Sequence, residues 1–127
     1  MIQQFTIDGR LNGTNEYVRA CRANPYKGAA MKRSDQDIVC WAIRLAHLKP
    51  YGGRVRIQYD FYEAPKRNGA KLRDKSNIAG QAVKVIEDAL QEMQIIKNDN
   101  WDYLAGYSCR FYRATNNPRI VVTIEEA

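Results

Sequence analysis

The side chains that could carry out catalysis in this sequence are carboxylates, lysines and hydroxyls. The chain has one histidine, His47, and three cysteines, Cys21, Cys40 and Cys109, which are far apart and form no CxxC pair. This pattern argues against a zinc site and a disulfide framework, and it is typical of the reducing interior of a cell. Mg²⁺ prefers carboxylate oxygens, and in a basic protein such a site usually hydrolyses phosphate esters.

Two acidic segments flank a strongly periodic apolar run and could supply these oxygen ligands. Residues 73–77 read Arg-Asp-Lys-Ser-Asn at the start of the run, and residues 97–102 read Lys-Asn-Asp-Asn-Trp-Asp after its end. If the chain reverses direction there, a carboxylate of the second segment returns towards the first. An ordinary helix N-cap and an ordinary turn explain the same residues, so both interpretations remain open.

Positive charge is concentrated in two stretches. Twenty Lys and Arg against fourteen Asp and Glu give a formal charge of +6, which indicates either a polyanionic partner or a generally soluble surface. Residues 64–75 have no periodicity and predict a basic loop around a single acid, Asp74; residues 19–33 hold a second group, which a solvated helix surface explains equally well. The loop contains Lys66, Arg67, Lys71, Arg73 and Lys75, and the second group contains Arg19, Arg22, Lys27, Lys32 and Arg33.

The first half of the chain predicts one strand and two helices. Gln3–Ile7 alternates as a short strand does, and helical spacing begins at Asn15 and stops at Asn24-Pro25. A long helix follows, which ends at Lys49-Pro50 and for which Ser34 is the candidate cap, unless residues 29–32 already belong to it. Its apolar side is predicted to consist of Ile38, Trp41, Ala42 and Leu45.

The second half predicts three strands and one helix. Residues 54–62 alternate strictly, as a strand with one buried face does, and residues 77–93 form the strongest helix. Residues 101–114 and 119–126, separated by a turn at 115–118, predict an antiparallel hairpin. The helix has an apolar face of Ile78, Ala79, Ala82, Val83, Ile86, Ala89, Leu90 and Met93. Opposite it, within about 60° of one another, lie Asn77, Gln81, Lys84 and Asp88, which a solvated face with a Lys84–Asp88 pair also explains.

The order β-α-α-β-α-β-β predicts a single α+β domain over residues 1–127, with helices packed on one face of a small mixed β-sheet. No stretch approaches the roughly eighteen apolar residues of a membrane span. The start, MIQQFTIDG, lacks the basic and apolar regions of a signal peptide. We therefore expect a cytoplasmic protein without a membrane partner.

The segment LRDKSNIAGQAVKVIEDALQEMQIIKNDNWD resembles the central motif of the RusA family of Holliday junction resolvases. That motif runs from basic residues through Asp-x-Asp-Asn and a helix with a Lys and Asp-Ala-Leu to an Asp-rich end. The opening FTIDGRLNGTNEYVRACRANPYKGAAMKR and the last strand resemble the phage and prophage branch, so the likeness covers nearly the whole chain. It implies a RusA-like homodimer that cuts four-way DNA junctions with Mg²⁺ and needs no small-molecule cofactor.

The resemblance also implies roles for individual residues. Asp74 and Asp99 match the catalytic, metal-binding aspartates, Lys84 the catalytic lysine, and Asn77 the asparagine that closes Asp-x-Asp-Asn. The residues expected to contact DNA are Arg67, Lys71, Arg73, Lys75 and Asn77, with Lys66 as a further candidate. Trp101, Tyr103 and Tyr107 are expected either to form part of the dimer interface or to pack in the core.

Ser76 stands where the family motif has its second aspartate. A serine hydroxyl is neutral and a poor Mg²⁺ ligand, so the site would lose one negative charge. Asp102 and Asp60 are the candidate replacements. Two hypotheses follow: an endonuclease impaired by Ser76, or a catalytically inactive protein that still binds DNA junctions.

Overall fold

Three helices and four strands follow one another in the order β-α-α-β-α-β-β. The computed structural model describes all of residues 1–127. Its elements are β1 (Ile2–Asp8), α1 (Thr14–Ala23), α2 (Pro25–Leu45), β2 (Val55–Glu63), α3 (Lys75–Glu92), β3 (Leu104–Arg113) and β4 (Arg119–Glu126). The predicted element order and the α+β class with a small mixed sheet are confirmed. No helix has the length and apolar character needed to cross a membrane.

The four strands form one sheet in the order β1-β4-β2-β3. β4 is antiparallel to both of its neighbours, whereas β2 and β3 are parallel and are joined through α3. The predicted β3–β4 hairpin is therefore wrong, because β2 lies between the two strands. Parallel strands need a long crossover connection, and α3 provides it. β3 is left as an edge strand.

The core lies between the sheet and the helices. β4 contributes Ile120, Val122 and Ile124 to it, and β2 contributes the alternate side chains Val55, Ile57, Tyr59 and Phe61. The predicted apolar face of α3 is confirmed, since Ile78, Ala82, Val83, Ile86, Ala89 and Leu90 are buried and Ala79 and Met93 pack against the core. α3 is thus fixed by its apolar face, which leaves its N-terminus and its polar face available for a site.

α2 begins nine residues before the predicted cap at Ser34. Asn24 is the N-cap instead, and its side-chain oxygen accepts a hydrogen bond of 2.8 Å from the Tyr26 amide while Pro25 occupies the first turn. The buried residues of the helix include Asp35, Val39, Cys40 and Ile43. The predicted apolar side is wrong in large part, because Ile38, Trp41 and Leu45 are 46%, 58% and 65% exposed.

Close packing of α1 on α2 explains this orientation. Gly28 of α2 faces Cys21 of α1, and a Cβ at position 28 would collide with the cysteine sulfur. Buried Asp35 accepts hydrogen bonds from the backbone and side-chain amides of Asn12, at 3.2 and 3.1 Å. These contacts turn Val39 and Ile43 towards the sheet, and they tie the loop between β1 and α1 to α2.

Candidate active site

An open groove of about 1060 Å³ lies where the basic loop enters α3. Its walls are the loop, the first turn of α3 and the end of β3. The polar and aromatic side chains along it include Lys71, Asp74, Lys75, Ser76, Phe111, Tyr112 and Arg113. The groove therefore contains the first predicted acidic segment.

Asp74 is the N-cap residue of α3, but its carboxylate makes no capping hydrogen bond. The side chain is exposed and takes part in no ion pair. Ser76, two residues later, is exposed as well. An ordinary capping role does not account for either residue, so both remain free to meet a ligand at the positive end of the α3 dipole.

Asn77 has a structural role that the sequence did not predict. Its side-chain oxygen accepts a hydrogen bond of 2.8 Å from the Asn15 amide in the first turn of α1. Nearby, the Thr14 hydroxyl oxygen accepts one of 3.1 Å from the Gln81 amide. Asn77 thus joins the start of α1 to α3, and its predicted contact with DNA stays a prediction.

Arg73 also serves the fold. Its guanidinium binds both carboxylate oxygens of Glu63 at the end of β2, one of them at 2.9 Å, and it donates a 3.0 Å hydrogen bond to the Leu11 carbonyl. Arg10 approaches the same carboxylate at 3.4 Å. The Arg73 side chain is only 13% exposed, and its predicted contact with DNA phosphates stays a prediction. It anchors the chain immediately before Asp74.

The other cations of the loop have no acidic partners. Lys66, Arg67, Lys71 and Lys75 are exposed and belong to none of the ion pairs of the molecule. A second concavity of about 410 Å³ beside the groove is lined by Lys66, Arg67 and Lys71 together with Arg10 and Arg73, and by no acid. Four cations of the loop are thus exposed and unpaired, whereas Arg73 is held by Glu63.

Arg113 joins the groove from the end of β3. It is exposed and lies opposite Glu63 in the parallel pairing of β2 with β3. Sequence reasoning did not find it, because only the strand register places residue 113 beside a loop some forty positions earlier. In the second predicted basic group, Lys32 and Arg33 are paired with acids, which leaves Arg19, Arg22 and Lys27 without such partners.

The second acidic segment returns to α3, but it reaches the middle of the helix and not its start. The Lys84 ammonium lies 3.3 Å from a carboxylate oxygen of Asp99 and 3.2 Å from one of Asp88. The hydrogen bond to Asp88 raises the pKa of Lys84. Burial alone would raise the pKa of Asp88, but hydrogen bonds from Lys32 and Lys84 outweigh it and lower that pKa. Lys84, Asp88 and Asp99 therefore form one charged cluster.

Within one chain, Asp74 and Asp99 are not neighbours. Lys84 follows Asp74 by ten residues, which corresponds to about 15 Å along the helix axis. The Lys84 ammonium also pairs with Asp88, one turn further along the helix. Mg²⁺ ligands must lie about 2.1 Å from the ion, and this rise along α3 favours separate positions for the two carboxylates within one chain. No cluster of three or more acidic, histidine or cysteine side chains is placed to bind a metal.

The two candidate replacements for the missing carboxylate differ in position. Asp60 is 8% exposed and pairs with Arg110 at 2.9 Å. Its neighbours on β2, Tyr59 and Phe61, face the core, so Asp60 lies on the opposite face of the sheet, and it is not among the residues that line the groove. Asp102 is exposed in the turn before β3, where its amide donates to the Asn100 side chain at 3.0 Å. Asp102, unlike Asp60, belongs to none of the ion pairs of the molecule.

Glu87 is a buried carboxyl group that sequence reasoning missed. It accepts a 3.3 Å hydrogen bond from the Tyr59 hydroxyl in the core, and it is 7% exposed. Burial raises the pKa of Glu87 to about 7, and the nearby Asp99 carboxylate adds to the rise. Its position next to Asp88 in an otherwise apolar helical run is the one feature of the sequence that indicates a buried carboxyl group.

No protein-family model matches the chain, and no curated protein matches it. The assignment of a function therefore depends on the order of the motif residues and on the geometry of the groove and the charged cluster.

Proposed function

We propose that this chain is a Mg²⁺-dependent endonuclease for four-way DNA junctions, that it acts as a homodimer in the cytoplasm, and that Ser76 lowers its activity. The observation that carries the proposal is the unpaired, exposed Asp74 in a groove with the unpaired cations Lys71, Lys75 and Arg113. A carboxylate that neither caps its helix nor pairs with a cation is available to a metal.

The free cations favour DNA as the polyanion. Lys66, Arg67, Lys71 and Lys75 lie on one loop, and Arg113 lies across the groove from it. Lysines and arginines without acidic partners bind phosphates by releasing counterions, and they position the backbone without reading bases. Such a surface fits the branched, closely spaced phosphates of a junction.

The edge strand β3 offers a surface for a second copy. Only β2 pairs with it, and Tyr107 and Trp101 near its start are 55% and 89% exposed. An unpaired edge with exposed aromatic residues is suited to pairing with another strand. A two-fold axis near Gly106 would pair the first halves of the two β3 strands antiparallel and extend the sheet across both chains.

Such a dimer would bring together two aspartates that lie apart within a single chain. Asp74 lies in the groove beside the end of β3, whereas Asp99 precedes the start of that strand. A two-fold axis across β3 reverses the partner strand, so it moves the partner's Asp74 towards Asp99 of the first chain. We propose that each of two equivalent sites takes one aspartate from each chain, and that the donors of a single chain do not suffice for Mg²⁺.

Each protein group then has a defined role. Mg²⁺, when bound, supplies Lewis-acid activation of the phosphate and lowers the pKa of a water molecule. Asp74 and Asp99 would hold it, and the Lys84 ammonium beside Asp99 would neutralise negative charge on the phosphate. The loop cations hold the DNA strand. The products are nicked duplexes that a ligase can seal.

A catalytically inactive junction-binding protein is the second candidate. It is favoured by Ser76, because this exposed hydroxyl adds no charge to the groove, and by the absence of a three-carboxylate cluster in one chain. This protein would keep the basic loop and β3 and use them for an architectural or inhibitory task.

Cleavage of a synthetic four-way junction distinguishes the two functions. Losing one electrostatic group usually costs about 10²–10³ in rate, so Ser76→Asp should raise Mg²⁺-dependent cleavage by that factor. Junction binding should stay equal or weaken slightly, because the new charge repels phosphate. Ser76→Asn is the matched control, since it changes size without adding charge.

Two other outcomes are informative. If the unaltered chain cuts as fast as Ser76→Asp, another carboxylate already serves, and Asp102→Asn should then abolish cleavage. If neither chain cuts with Mg²⁺ or Mn²⁺ but both bind the junction, the inactive binding protein takes the place of the nuclease.

A further inference from the structure

Three planar side chains are stacked across the face of the sheet that the helices leave open. Tyr62 of β2 and Tyr112 of β3 are directly opposite in the strand register, with ring centroids 4.8 Å apart and planes 19° from parallel. Arg119 of β4 is opposite Tyr62 on the other side, and its guanidinium carbon lies 3.9 Å from the ring centroid. The order across the strands is Arg119, Tyr62, Tyr112.

The stack is held in place from its inner end. The Arg119 guanidinium donates a 3.0 Å hydrogen bond to the Asn117 carbonyl, which fixes its plane over Tyr62. The strand pairing fixes the backbone beneath both tyrosines. A planar ligand that adds to the outer end would therefore meet an ordered ring and lose little side-chain entropy in the protein.

The outer end of the stack is open. β3 is the edge strand, so no strand lies beyond Tyr112, and this side chain is 40% exposed. Pairing of β3 with a second copy near Gly106 involves residues 104–108 of each strand and ends before Tyr112. Tyr112 also lines the groove that contains Asp74 and Ser76.

The charged side chains around Tyr112 indicate which kind of ligand the open face of its ring would bind. Arg110 is 61% exposed on the same strand and pairs with Asp60, Arg113 is exposed next to Tyr112, and Lys71 and Lys75 line the same groove. An apolar protein segment would gain little from this charge. A planar π-system linked to phosphates gains from both the ring and the cations, and this describes a nucleotide. The bases of an intact duplex hide their faces, so the base must be unpaired.

We propose that the outer face of Tyr112 binds an unpaired nucleobase and that the Arg119–Tyr62–Tyr112 stack is a single-strand platform next to the groove. The inference rests on the proposed function and deepens it, because it names the DNA feature that the site accepts. A base displaced at the branch point stacks on Tyr112 while the phosphate beside it lies near Asp74. The stacking contact is independent of base identity, since every base has a π-face.

Binding of a single-stranded oligonucleotide that contains 2-aminopurine tests the proposal. The unaltered protein should quench the probe's fluorescence. Tyr112→Leu should abolish the quenching and weaken single-strand binding by about 5-fold or more, which is the smallest effect expected for one stacked base. Tyr112→Phe should keep both. Tyr26→Leu is the matched control, because Tyr26 is 84% exposed on α2 and stacks with no other aromatic residue. Binding to a duplex of the same length should not change in any variant.

The outcomes separate this proposal from the function it rests on. If the unaltered protein binds junctions but Tyr112→Leu binds single strands equally well, the platform is refuted and the nuclease proposal stands. Equal loss of single-strand and duplex binding in Tyr112→Leu means that the ring supports the fold, and this also refutes the platform. If the unaltered protein binds neither junctions nor single strands, both proposals fail.

Discussion

Glu87 places an ionisable group inside the core, and this has a consequence for stability. Burial raises its pKa from the ordinary value of 4.5 to about 7. The folded state therefore holds the proton more tightly than the unfolded state does. The stabilisation is fully present below about pH 4.5 and is lost as pH rises towards 7, and the difference corresponds to about 3 kcal/mol at most. Burial raises the pKa of Asp35 too, which acts in the same direction.

We predict that Glu87→Gln removes most of this pH dependence. The neutral amide keeps the size of the side chain and can still accept a hydrogen bond from the Tyr59 hydroxyl. Urea unfolding at pH 5 and pH 8 should give a free energy of unfolding that falls by about 2.5 kcal/mol in the unaltered protein and much less in the variant. Glu125→Gln, at an exposed position of β4, should retain the fall. An equal fall in Glu87→Gln would show that Glu87 is ionised in the fold at pH 5.

β3 is the element on which the proposed dimer depends. It lies at the sheet edge, and Tyr107, Cys109 and Phe111 stand opposite the core residues Ile57, Tyr59 and Phe61 of β2. Yet Tyr107 remains 55% exposed, and Cys109 and Phe111 are only half-buried. The apolar side of β3 thus extends beyond the helix layer, and a second copy would cover it.

We expect Trp101→Glu to weaken the dimer without harming the fold. Trp101 is 89% exposed just before β3, so it contributes little to a single chain, whereas a buried interface tryptophan is commonly worth 2 kcal/mol or more. Sedimentation at micromolar protein should find a dimer for the unaltered chain and a dissociation constant at least about 30-fold higher for the variant. Tyr26→Glu, at a similarly exposed position on α2, should leave the dimer intact. An unaltered chain that stays monomeric at this concentration would contradict the dimer.

Elements with a clear period could be predicted from the sequence, and their partners could not. The apolar face of α3 and the alternation of β2 follow from side-chain spacing, so both were found. Alternation with a period of two identifies the buried face of β4, but it does not identify the strand that pairs with β4. The short turn before β4 is compatible with a hairpin and equally compatible with a connection that crosses the end of β2. In α2, two sides carry apolar residues, and the contact of Gly28 with Cys21 decides between them.

For the candidate site too, the residues could be predicted from the sequence, but their partners could not. Local motif order placed Asp74 beside free cations and brought Asp99 to Lys84. It could not reveal that Glu63 binds Arg73 or that Asn15 binds Asn77, because these partners are set by the end of β2 and the start of α1. Nor could it give the distance along α3 that separates the two aspartates. A sequence motif records which residues a site uses, but not which chain supplies them.

At the scale of the whole molecule, the proposed dimer makes catalysis depend on two chains. If Asp74 of one chain faces Asp99 of the other, neither chain is sufficient alone, and two symmetric sites can nick a junction with two-fold symmetry. This arrangement predicts complementation between two inactive variants. We expect Asp74→Asn and Asp99→Asn, each made with Ser76→Asp, to be inactive as homodimers.

Mixing the two variants should restore cleavage. In a mixed dimer, one site receives both altered residues, and the other receives both intact aspartates. Random exchange at equal amounts makes half of the dimers mixed, each with one of its two sites intact, so the mixture should cut at about one quarter of the parent rate. A mixture of Asp74→Asn and Asp74→Ala chains must stay inactive, because no pairing of those chains provides an intact Asp74. If the first mixture is also inactive while sedimentation shows that the chains exchange, each site is built within one chain, and α3 must then rearrange on DNA to bring Asp74 and Asp99 together.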